Sequence, residues 1–154
     1  MITLKISTDL ESIKRILFDK KLAELTHDDL SPPDIDTFAL DSNTLYLLAY
    51  SDNNDLVGMF RLTHLTGCVI IVHIHVLPSF WGTGVGDEMA DTLLEKSKDV
   101  PNARKLVAFV PKTATKVTSL LFRHRFNFAG ILKKAVMFNN SLVDLHIFEF
   151  DLKR

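Results

Sequence analysis

The part of this chain richest in chemistry is a pair of histidines, two residues apart, followed closely by three alternate glycines. The stretch runs Val69-Ile70-Ile71-Val72-His73-Ile74-His75-Val76-Leu77-Pro78-Ser79-Phe80-Trp81-Gly82-Thr83-Gly84-Val85-Gly86, then Asp87-Glu88-Met89. It reads as a buried strand, a short turn, a glycine-rich loop and the opening of a helix. Glycines at 82, 84 and 86 let the backbone take positive φ and let a bulky anion approach without meeting a Cβ. Bare amides and the positive end of a helix dipole then point at one spot, which is a seat for phosphate. Strand alternation puts His73 and His75 on one face, with Ile74 and Val76 on the other. An imidazole near its ordinary pKa can act as a base toward an ammonium substrate at neutral pH. The plainer reading of a histidine in a buried strand is a hydrogen-bonded core residue.

Two familiar phosphate loops do not fit. A Walker loop ends in Gly-Lys-Ser/Thr, whereas Gly86 is followed by Asp87 and Glu88. A dinucleotide fingerprint needs its third glycine where Asp87 stands. The remaining pattern, Val-x-Pro, a short spacer, then Gly-x-Gly-x-Gly opening a helix, resembles the acetyl-CoA loop of the GNAT-type N-acetyltransferases. Val76, Pro78, Gly82, Gly84 and Gly86 fall in register with it, and Trp81 stands where the family has Arg or Gln.

The resemblance implies acetyl-CoA or CoA as cofactor, seated on Val76, Leu77, Trp81, Gly82, Thr83, Gly84, Val85 and Gly86. It implies that an amine attacks the thioester while a base and an acid move protons. The family's acid is commonly a tyrosine in the penultimate helix, but no tyrosine follows Tyr50. His124, in Arg123-His124-Arg125, is the natural substitute, and it reads equally as a surface residue. The catalytic candidates are thus His75, His73 and His124. Ala114 stands in the register of the family's frequent asparagine, and Arg125-Phe126 replaces its Gly-Phe. Trp81 can only stack or donate one hydrogen bond, and Asp87 and Glu88 would repel a diphosphate. Lys112, Lys116, Arg123 and Arg125 either offset that repulsion or form a solvated helix face.

At 154 residues, with 47% apolar and 24% charged residues, the chain suits one globular domain spanning 1–154. A formal charge of −1 gives no general attraction to nucleic acid or to acidic membranes. One cysteine, Cys68, cannot form an internal disulfide and reads as a small core residue. No apolar run is long enough to cross a bilayer, the N-terminus lacks signal-peptide features, and no His/Cys/Asp spacing suggests a metal. A cytoplasmic protein is the default.

The elements that must position the loop follow in order. Ile2 to Ile6 is a strand. Thr8 caps a helix with Glu11 as capping-box partner, and its stripe Leu10, Ile13, Ile16 and Leu17 carries it to about Leu25. Thr26 to Thr44, with His27, Asp28, Asp29, Ser31-Pro32-Pro33, Asp34, Asp36 and Asp41, reads as short turns and loop. It is either an acidic receiver for an amine or a solvated segment with capping aspartates. Strands Leu45–Ser51, Leu56–Leu65 and Cys68–Val76 form an antiparallel meander. The helix after the loop turns Gly86, Met89, Ala90, Leu93 and Leu94 inward. Lys105–Val110 lies parallel to the central strand, Thr113–Phe126 is a helix, and 128–138 with 142–152 closes a hairpin. This order implies an α+β GNAT fold, a mixed, mostly antiparallel sheet of six to seven strands flanked by helices.

Two classes of function follow. One is transfer of an acetyl group from acetyl-CoA to an amine of a small molecule or a protein. The other is a GNAT-fold protein without catalysis that serves in binding or assembly, since the compact size and closing hairpin are also similar to small tailed-phage proteins, some grouped with head assembly; cytoplasmic then means the host's. An amine substrate is the expected partner, and a homodimer is left open.

Overall fold

The computed structural model describes residues 1–26 and 34–152. Along the chain run β1 (Thr3–Ile6), α1 (Leu10–Leu17), α2 (Lys20–Thr26), β2 (Thr44–Tyr50), β3 (Leu56–His64) and β4 (Val69–Val76). Then come α3 (Val85–Ser97), β5 (Lys105–Pro111), α4 (Thr115–Arg123), β6 (Asn127–Phe138) and β7 (Ser141–Asp151). All seven strands join one sheet in the order β1-β2-β3-β4-β5-β7-β6. Every neighbouring pair is antiparallel except β4 and β5, which α3 connects and which run parallel.

That parallel contact is short. It couples Val69 to Lys105, Ile70 to Leu106 and Ile71 to Val107, and then ends. β4 continues to Val76 and β5 to Pro111 with no further pairing between them. The sheet is thus split along its middle, toward the end of β4 that carries the glycine loop.

Alternation along each strand sorts the core into two layers. Ile70, Val72, Leu106, Ala108 and Phe148 face Met89 and Leu93 of α3 and Leu121 of α4. On the other side Tyr46, Leu48 and Met59 pack with Ile13, Ile16 and Leu17 of α1 and Leu22 of α2. Ile13 and Ile16 are completely buried, each contributing about 1.5–3 kcal/mol by removal from water. His73 and His75 pair with Arg61 and Met59 across the ladder, so they lie on the α1 side.

The first helix departs from the sequence expectation at both ends. Its N-cap is Asp9, not Thr8, and no side chain caps an amide there; the Asp9 carboxylate accepts from the Ser12 hydroxyl instead. The helix does not reach Leu25 unbroken. It stops at Phe18, and Asp19 restarts it by accepting the Leu22 amide at 3.0 Å, an N-cap for α2. The break turns α2 so that Leu22 is buried. His27, Asp28, Asp29 and Ser31-Pro32-Pro33 lie outside the described residues. Asp34 and Asp41 accept the amides two residues on, at Asp36 and Asn43, as turn-forming aspartates do.

The hairpin and α4 show how local chemistry closes the fold. Phe138 pairs with Ser141 across Asn139 and Asn140, both with positive φ, the conformation of a two-residue hairpin turn. α4 is shorter than expected, Thr115–Arg123 in place of Thr113–Phe126. It ends with Phe126 N–H donating to Leu121 O at 2.9 Å and Arg125 N–H donating to Phe122 O at 3.1 Å. These two bonds define a Schellman stop, whose left-handed position belongs by preference to glycine. Here Arg125 occupies it, at φ 65°. Replacing Arg125 with glycine should therefore stabilise the protein by about 1 kcal/mol. In thermal unfolding this would appear as a rise of roughly 2–4 °C; an unchanged or lower midpoint would contradict the reading.

Candidate functional site

β4 feeds the loop through a fixed path. Leu77 is buried, and its amide donates to Val57 O at 2.9 Å, on the β3 side. The two ends of a trans peptide point in opposite directions. The Val76 carbonyl therefore faces the β5 side, where the split opens. Pro78–Phe80 form one 3₁₀ turn, and Trp81 folds back so that its indole N–H donates to Val76 O at 2.8 Å. Gly58 lies opposite Val76, where a Cβ would overlap the His75 carbonyl, so only glycine admits this path.

Gly82 and Gly84 take φ 73° and 87°, and a Cβ on either would meet nothing within 4 Å. Gly84 is the N-cap of α3, a 13-residue helix. Among the described residues, no acceptor is found for the amides from Gly82 through Asp87; the first bond of the helix is Glu88 N–H to Gly84 O. This cradle opens on a pocket of about 580 Å³ lined by Trp81, Gly82, Gly84, Gly86, Lys116 and Arg123, among others. Ile74 and Val76 line it too, so the pocket runs from the loop onto the open edge of β4.

Of the two carboxylates after the loop, Asp87 borders the pocket but is paired there. Asp87 accepts from Arg123 Nε at 3.0 Å and Nη2 at 3.3 Å, and lies 2.8 Å from His124 Nε2. The Arg123 guanidinium, with help from His124, holds its carboxyl below the usual carboxylate range. Glu88 turns the other way, 3.5 Å from the N-terminal amino group. The expected repulsion of a diphosphate is thus largely cancelled by a partner that sequence spacing could not show.

A second cavity, about 100 Å³, lies where β4 and β5 have parted, and His73, His75 and His124 all line it. All three histidine candidates thus border this cavity, His73 and His75 from the α1 face of the sheet and His124 from the α3 side, and they differ in state. Burial, and then the charge of Arg61, push the His73 pKa down to about 4, so this imidazole is neutral at physiological pH. His75 Nε2 accepts from Arg61 Nε at 3.1 Å, which puts the His75 proton on Nδ1. His124 is nearly enclosed, with Nε2 on Asp87 and Nδ1 at 3.1 Å from Asp91, so both ring nitrogens are engaged by α3.

The cofactor candidates divide similarly. Val76, Trp81, Gly82, Gly84 and Gly86 border the larger pocket, and Thr83 and Val85 lie between them in the loop. Leu77 spends its amide on β3 and its side chain in the core, so the open edge passes to Ile74 and the Val76 amide, the Val76 carbonyl being taken by Trp81. Of the four basic residues weighed in the sequence, Lys116 and Arg123 border the pocket, while Lys112 and Arg125 do not. Ala114 borders both cavities. Sequence reasoning missed Arg61 as the partner of His75, and Lys116 and Lys21 over the Trp81 ring, at 4.8 and 5.4 Å from its centroid. Arg61 had a legible signal, since a polar residue on the inward face of a β3 strand is unusual. Among the described residues no group of three His, Cys, Asp or Glu could hold a metal ion, and no helix is long and apolar enough to cross a membrane.

The sequence model of the acetyltransferase (GNAT) family matches residues 10–126. No curated protein sequence matches the chain. Among solved structures, the spermidine N-acetyltransferase of Vibrio cholerae, in complex with CoA and spermine, is 16% identical with a TM-score of 0.82 over 98% of this chain and 95% of that one. A phosphinothricin acetyltransferase from Sinorhizobium meliloti, in complex with AcCoA, is 18% identical with a TM-score of 0.77 over 97% and 88%. At these identities the likeness establishes a shared fold.

The depressed His73 pKa has a measurable consequence. As pH falls from 6.5 to about 4, the unfolded chain takes up a proton that folded His73 refuses. The unfolded state then binds more protons, so stability declines as pH drops through this window. The wild type should lose about 3 kcal/mol more than His73→Gln across it, as read by urea unfolding at each pH. Parallel pH profiles for the two proteins would refute this.

Proposed function

This chain belongs to the acetyltransferase (GNAT) family, and on that footing we propose that it moves an acetyl group from acetyl-CoA to an amine of a small molecule or a protein. The observation that carries the reading is the row of amides from Gly82 through Asp87 for which no acceptor is found among the described residues, at the head of α3 and open to a pocket that continues along β4. Amides in that arrangement suit a diphosphate, which has charge to offer each of them. The open edge of β4 beyond Ile71 suits an extended amide-bearing arm, which could pair with it as an additional strand. The two structural relatives named above were crystallised with CoA and AcCoA, which supports the same ligand here.

When bound, the cofactor supplies an acetyl group activated as a thioester. The chain's own part is to orient it and to move protons. His75 is assigned as base toward the attacking amine because it lines the inter-strand cavity; to take a proton on Nε2 it must first release the Arg61 guanidinium. His73, neutral and in the same cavity, is the second candidate. His124 caps the C-terminal end of α4, near where an acid is expected; to donate a proton it must release Asp87 or Asp91.

Isothermal titration of the full chain with acetyl-CoA and CoA should give micromolar affinity. Gly84→Glu, which drives a carboxylate into the cradle at a left-handed position, should weaken it at least about tenfold while the far-ultraviolet circular dichroism is retained. An absence of heat at millimolar ligand would favour the non-catalytic binding or assembly role. With binding established, His75→Ala should slow acetyl transfer on the order of a hundredfold. Undiminished turnover in that variant would remove the assignment.

A further inference from the structure

The glycine loop contributes no cation of its own, since Trp81-Gly82-Thr83-Gly84-Val85-Gly86 carries none. Any positive charge that meets an anion on its amides must come from a neighbouring element. Two cations border the pocket from α4. Arg123 is committed to Asp87 through two hydrogen bonds, so its charge is already largely compensated. Lys116 makes no ion pair among the described residues. Its ammonium instead sits 4.8 Å from the centroid of the Trp81 ring. The indole is itself pinned, because its N–H donates to the Val76 carbonyl. A fixed aromatic face thus holds a flexible ammonium group at the mouth of the amide cradle.

Lys21 of α2 also lies over the indole, at 5.4 Å, but it does not border the pocket. The two lysines come from different helices, and only the one on α4 borders the pocket with the glycines.

We infer that Lys116, positioned by the Trp81 ring, is the cation that pairs with the diphosphate of the bound coenzyme across from the glycine amides. The inference rests on the acetyl-CoA reading above, and it adds to that reading a residue on a different element. Trp81 is a positioning residue in this scheme. Its ring replaces a direct donor with a platform that recruits one from α4.

The test uses the full chain and four probes: CoA, dephospho-CoA, pantetheine and inorganic pyrophosphate. Lys116→Ala should weaken CoA and dephospho-CoA about tenfold in calorimetric Kd, the loss of one charge-assisted hydrogen bond. It should leave pantetheine, which has no phosphate, unchanged. Lys116→Arg should restore most of the loss, and Lys21→Ala should change nothing. Trp81→Leu should cost a few-fold in the wild-type background and nothing more in Lys116→Ala, because the ring acts through the lysine. Thermal stabilisation by pyrophosphate should follow the same order. A loss for CoA but not dephospho-CoA would give Lys116 to the 3′-phosphate and overturn the assignment. Equal losses with pantetheine, or no loss with any probe, would also overturn it. Should the wild type bind pyrophosphate through Lys116 but not CoA, the acetyl-CoA reading fails while the anion site stands. Binding of neither probe removes both.

Discussion

The parting of β4 from β5 after three paired residues is the constraint on which the rest of the molecule depends. A sheet interior ordinarily satisfies every backbone group with its neighbour. Here the second half of β4 has a neighbour on the β3 side only, so its other edge is left for something else. Both cavities sit along that split. The core tolerates it because α3 and α4 pack across the same face, with Met89, Leu93 and Leu121 holding the two half-sheets together beneath the opening. One polar group at the end of the edge, the Val76 carbonyl, is satisfied by the Trp81 indole, and the loop turns back over the pocket as a result.

Charge around the loop is arranged with similar economy. Asp87 and Glu88 in the first turn of α3 favour its dipole and help start the helix. Left unpaired, they would also oppose an anion at that same end. Arg123 and His124 from α4 take up Asp87, and the N-terminal amino group beside β1 takes up Glu88. The helix keeps its acidic start, and the amides keep their attraction for anions. The clasp also ties α3 to α4, the two helices that border the split.

On the opposite face the histidines of β4 meet Arg61, and this makes them unequal although they share one strand face. His73 is buried beside a positive charge and stays neutral, whereas His75 is oriented by a direct hydrogen bond from the guanidinium. Two residues with the same side chain and the same parity thus come to different surroundings, one set chiefly by burial and the other by a hydrogen bond from a neighbour on β3.

Much of this was legible from residue order alone. Alternating apolar residues gave the strands, 3.6-residue stripes the helices, and the glycines at 82 and 84 the left-handed turns, because each of these reports a local preference of the backbone. The element order and the loop together pointed to the family and the sheet. What tertiary structure decided was pairing at a distance: Arg123 on Asp87, Arg61 on His75, Lys116 on Trp81, and Asp91 on the far side of His124. It also decided that Asp19 divides the first helix, where its local capping of the Leu22 amide is joined to the burial of Leu22 in the core. Periodicity says which face a side chain takes, but the charge it meets there comes from an element tens of residues away, and only the folded sheet brings the two within reach.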